Sequence, residues 1–64
     1  MITTKPTQAQ LSAWTTTKIR TALKSINDSI EININAGTPD HLIDKLIDFR
    51  NEYIVAMRRR GASI

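Results

Sequence analysis

Between two segments of helical periodicity lies one stretch of strict alternation, Ile30, Glu31, Ile32, Asn33, Ile34 and Asn35, which constrains the chain more than any other feature. In a strand, Ile30, Ile32 and Ile34 would line one face, with Glu31, Asn33 and Asn35 on the other. A strand needs a hydrogen-bonding neighbour, because an isolated one presents two open edges. No second stretch has the pattern to pair with it. The alternation therefore predicts a strand completed by a partner chain, or else an extended connector packed on the two helices.

Length makes that incompleteness matter. A chain of 64 residues forms one small domain, burying only about 60% of the surface its unfolded state exposes. The absence of Cys and the single His exclude a disulfide scaffold and a Cys/His zinc site as compensation for a small core, leaving oligomerisation as the common remedy. A hydrophobic fraction of 41% with ten Ile is too apolar for a disordered tail. The longest apolar run, Tyr53 to Met57, is five residues, against the ~20 of a membrane span. The polar Met1 to Gln10 lacks the apolar centre of a signal peptide. A soluble protein without a membrane partner is expected.

Thr7 to Gln10 reads as a capping box, in which hydroxyl and amide side chains satisfy each other's backbone N–H groups. From there Leu11, Trp14, Ile19, Ala22, Leu23 and Ile26 gather into one helical stripe. The β-branched run Thr15, Thr16, Thr17 weakens this first helix locally, and Asn27, Asp28 and Ser29 are expected to end it. Gly37 breaks the alternating segment. Thr38 then offers a capping hydroxyl, Pro39 a first helical residue and Asp40 an acid at the N-terminal dipole. In the second helix Leu42, Leu46, Phe49, Tyr53 and Ala56 form a seam that Ile43, Ile47, Ile54 and Met57 widen. It stops at Gly61, after three arginines that suit a helix C-terminus. The predicted fold is a small, mostly α-helical α+β domain over 1–64 in helix, strand, helix order, with an N-terminal arm at 1–6 and a C-terminal tail at 61–64.

Charge is segregated along the chain. Lys5, Lys18, Arg20 and Lys24 precede any acid, whereas Asp28, Glu31, Asp40, Asp44, Asp48 and Glu52 outnumber Lys45 and Arg50 before the terminal arginines. Asp40, Asp44, Asp48 and Glu52 recur every fourth residue, where like charges cost a few tenths of a kcal/mol per pair. Such a row is either a solvated face or one opposed by a basic surface. Lys18, Arg20 and Lys24 of a neighbouring copy would pair with Asp44, Asp48 and Glu52, and head-to-tail contacts of that kind close into rings.

The inventory argues against an enzyme. It contains no Cys, no Gly-rich phosphate loop and one His41 at a helix start; Mg²⁺ between Asp44 and Asp48 would need more than exposed carboxylates on a helix face. No cofactor is implied. Arg58, Arg59 and Arg60 with Lys18, Arg20 and Lys24 could neutralise phosphates, but the acidic block would repel a duplex, and no recognition-helix, zinc-finger or RNP pattern is present. Nucleic acid is the less favoured partner. Trp14 is expected in the core against the second helix, with a partner-facing anchor as the alternative.

The run Asp40-His-Leu-Ile-Asp-Lys-Leu-Ile-Asp-Phe-Arg-Asn-Glu-Tyr53, followed by Arg58-Arg-Arg-Gly61 and a short apolar tail, resembles the lambda W-type head-to-tail joining proteins of tailed bacteriophages, chiefly over residues 39–64. That family carries a β-hairpin between its helices, where this chain has room for one strand. The resemblance implies a structural virion protein that assembles as a ring below the portal and joins head to tail through portal, tail or neck proteins. It also implies contact residues at Arg58, Arg59, Arg60 and the tail through Ile64. With Ile30, Ile32 and Ile34 these make the predicted partner-binding set. The alternative is a small cytoplasmic adaptor that binds one host protein, inserting 30–35 at the edge of its sheet.

Overall fold

The computed structural model describes residues 5–63, and among them there is no strand. The chain forms three helices, α1 (Gln8–Ser12), α2 (Thr16–Asn35) and α3 (Asp40–Arg59). The predicted α+β class is thus corrected to all-α, and Ile30 to Asn35 is the last part of α2 rather than a strand. Ile30 is buried while Ile32 and Ile34 are 66% and 57% exposed, so the three do not share a face. The physical reason lies upstream. Ile19, Leu23, Ile26 and Ile30 follow spacings of four, three and four, so Ile30 continues the helical stripe already begun, and the alternation beyond it is local. Asn27 and Asp28 are exposed within the helix and do not end it.

The break expected after Ser29 occurs instead at the threonines. Thr7 accepts from the Gln10 backbone N–H at 3.1 Å and the Gln10 side chain accepts from the Thr7 N–H at 2.9 Å, completing the predicted box. The helix it starts is only five residues long. Thr15 then caps a new helix, its hydroxyl accepting from the Lys18 N–H at 3.1 Å. A β-branched residue with a short oxygen gains more at an N-cap than in a helix interior.

Both long helices end in the same way. Gly37 (φ 75°) follows α2 and Gly61 (φ 71°) follows α3. The Thr38 N–H donates to the Asn33 carbonyl and the Gly37 N–H to that of Ile34; Ala62 and Gly61 donate likewise to Met57 and Arg58. These paired bonds satisfy carbonyls that the helix end would orphan, and they need a left-handed residue. Pro39 is the N-cap of α3 rather than its first helical residue, and no side chain caps that end. The Thr38 hydroxyl donates instead to Asn33 Oδ1 at 2.9 Å, while Asn33 Nδ2 donates to the Ser29 carbonyl.

The result is an antiparallel α2–α3 hairpin with α1 docked at its open end. Leu11, Ile19, Leu23, Tyr53, Ala56 and Met57 form the buried core, bordered by Trp14, Ala22, Ile26, Ile54 and Ala62. Trp14, expected in the core, is partly buried at its edge, its ring 6.1 Å from that of Tyr53. Most of this lies in the half of the hairpin that α1 covers, with Ile26 and Tyr53 at its boundary with the uncovered half. Because Ile30 faces inward and Ile32 outward, Ile30→Ala should cost about 2 kcal/mol, the low end for a buried Ile truncation. Ile32→Ala should stay within roughly 0.5 kcal/mol, as at other exposed positions. Paired urea melts check this; equal losses would contradict the helical register.

Candidate functional site

The feature with most capacity for contact is a groove that α1 only partly fills. Its five residues span about 7 Å, against about 30 Å for the 20-residue α3. At the filled end Leu11 is fully buried beside Ala56 and Met57, and Gln8 Nε2 donates to the backbone carbonyl and Oε1 of Glu52, both at 3.0 Å. From Tyr53 toward the hairpin turn no helix overlies the seam among the described residues, and Lys5 borders it. A hollow of about 830 Å³ opens there, lined chiefly by Ile26, Leu42, Leu46, Phe49 and Tyr53, with Lys5, Lys45 and Asp48 at its margin. Leu42 is 42% exposed, and Leu46 and Phe49 are half-buried.

Arg60 fixes how far α1 reaches. Its Nη1 donates to the Trp14 carbonyl at 2.9 Å and to Thr16 Oγ1 at 3.2 Å, and its Nη2 donates to the Leu11 carbonyl at 3.0 Å. A planar guanidinium can serve several acceptors at once, so one side chain from the end of α3 closes α1 and anchors the start of α2. Arg60 is therefore spent inside the molecule, unlike the exposed Arg58 and Arg59.

The predicted electrostatic residues divide in the same way. Glu52 is engaged by Gln8 and lies 3.8 Å from Lys5 Nζ. Lys18 Nζ lies 4.2 Å from the Trp14 ring centroid, and Arg20 Nη2 donates to the Ser63 carbonyl at 3.0 Å. Lys24, Asp44 and Asp48 are exposed, and among the described residues they make no such contacts. Among the partner-binding candidates, Ile32 and Ile34 are exposed on different sides of α2, Ile30 is buried, and Ile64 lies outside the described residues. The geometry does not bring the predicted set together.

Leu42, Leu46 and Phe49 belong to the seam read from sequence, yet their role as groove lining was missed. The signal was the mismatch between a long apolar seam and the short segment before Thr15. Among the described residues, no group of three or more His, Asp or Glu side chains is placed to hold a metal ion, and no helix is long and apolar enough to cross a membrane. No protein-family model matches the chain, and no curated protein or solved structure is significantly similar to it.

Arg60→Ala strips hydrogen bonds from the Leu11 and Trp14 carbonyls and should destabilise the fold by about 1.5–3 kcal/mol, the range for bonds to a charged group. Arg58→Ala with Arg59→Ala should change stability by less than about 0.5 kcal/mol. Thermal melts of the two proteins compare these outcomes directly.

Proposed function

We propose that this chain is a non-enzymatic assembly protein whose working surface is the open groove between the outer halves of α2 and α3. The observation that carries this reading is the length mismatch: α1 covers one end of an apolar seam and leaves Leu42, Leu46 and Phe49 at the other. An open apolar strip with a charged margin is the usual anatomy of a contact surface. A helix laid in a groove is the mode of recognition it fits best.

The setting we propose is the neck of a tailed-phage particle, with portal or tail proteins as neighbours. Support comes from the likeness of residues 39–64 to W-type joining proteins, now carried by α3 and the arginines at its C-terminal end. The exposed Arg58 and Arg59 remain available for contact beyond the molecule. Completion of a strand by a partner is no longer part of the reading.

Leu42→Glu places a charge at the groove mouth on a side chain already 42% exposed, so helical circular dichroism should stay unchanged. The variant should bind purified portal and tail-completion proteins of the same phage at least about tenfold more weakly, the scale of a lost interface anchor. Sedimentation of labelled chain with those proteins measures this. A wild-type chain that binds none of them rejects the neck setting, and undiminished binding by the variant rejects the groove.

A further inference from the structure

The groove carries its own complement. On α3, its apolar lining consists of Leu42, Leu46, Phe49 and Tyr53, and Lys45 and Asp48 stand three residues apart at its margin, while Lys5, from the segment before α1, adds a second cation there. A surface holding both signs in this arrangement matches itself after rotation by a half-turn. We propose that the open half of the groove is covered by the same half of a second copy, with the two α3 helices antiparallel across a two-fold axis beside residues 46 and 47. This rests on the groove being a contact surface and names its occupant.

In that register Lys45 stands level with the partner's Asp48, and Asp48 with the partner's Lys45. Leu46 lies beside the partner's Leu46, and Leu42 falls about 3 Å along the axis from the level of the partner's Phe49, at 1.5 Å per residue. A two-fold contact repeats each favourable pair twice, as isologous interfaces do. It also places the apolar lining of both copies out of water, giving four long helices around one core, the arrangement of a helix bundle.

Two features of the fold set the register. α1 sits beside α3 from Glu52 to Arg60, which in this pairing is level with the turn between the partner's long helices. Each α1 is thus an end-stop that limits the overlap to the open segments. Charge favours the same direction. The end bearing α1 holds Lys18, Arg20, Lys24, Arg58 and Arg59 against Glu52, whereas the hairpin end holds Glu31, Asp40, Asp44 and Asp48 against Lys45. Antiparallel overlap lays the basic end of each copy toward the acidic end of the other, and parallel overlap would superimpose like charges.

The test is charge exchange followed by sedimentation equilibrium over a wide concentration range. Wild type should associate to a dimer. Lys45→Asp and Asp48→Lys should each weaken it roughly ten- to a hundredfold, because each turns two cross-chain attractions into repulsions. Both side chains are exposed in the single chain, so helical circular dichroism should be retained. The decisive step is mixing: Lys45→Asp chains and Asp48→Lys chains should pair with each other at near wild-type strength, and the double variant should pair with itself. Rescue on mixing cannot arise from misfolded variants. A wild-type chain that stays monomeric, or variants not rescued on mixing, would overturn the self-pairing. Should such a monomer still bind portal or tail proteins in a manner lost in Leu42→Glu, the groove stands as a contact surface and only its occupant was wrongly assigned.

Discussion

The bonds from the Arg60 guanidinium hold the architecture in register. They reach across more than forty residues to the carbonyls of Leu11 and Trp14 and the hydroxyl of Thr16, joining the last turn of the chain to its first two helices. Without them the Trp14 carbonyl would lose its charged donor beside an apolar core and the Leu11 carbonyl would keep its backbone partner, the Trp14 N–H at 3.0 Å, a cost comparable to that of lost hydrogen bonds to a charged group. Gly61 follows at once and ends α3 by turning the backbone left-handed. That turn returns Ala62 to the edge of the core. The position of α1, and with it the boundary of the groove, follows from one side chain and the turn behind it.

Most of the helical content was legible in the sequence because it rests on local chemistry. The Thr7 and Gln10 box, the seam from Leu42 to Ala56 and the stop at Gly61 depend on neighbours within a turn or two. The alternating segment misled for the same reason. Ile30, Ile32 and Ile34 have a period of two when read alone, but Ile30 belongs to the period that begins at Ile19, and the cooperativity of an established helix carries through polar residues such as Asn27 and Asp28. Asn-Ala-Gly at 35–37 is a helix stop as much as a strand break. Only the longer window separates the two.

The groove was less legible, since it is defined by what fails to cover it. Its apolar residues are ordinary members of a helical seam, and their exposure depends on α1 ending at Ser12. That ending depends on Thr15 capping a new helix rather than continuing the old one. Three consecutive arginines look alike as sequence, and the structure separates Arg60, which bonds internally, from the other two. On a helix they point about 100° apart, so Arg60 turns inward while Arg58 and Arg59 face solvent.

The docking of α1 has a further consequence for how the molecule opens. The α2–α3 hairpin is tied by its own turn and by packing along both helices, whereas α1 is held by the burial of Leu11, the Gln8 bonds to Glu52 and the grip of Arg60. Segments with few attachments detach in local excursions that cost less than global unfolding. Release of α1 would uncover Ala56 and Met57 and extend the groove toward the end of α3. The short first helix is thus an internal competitor for any longer helix that binds there, and its hold on the hairpin sets how much of the seam a partner can claim.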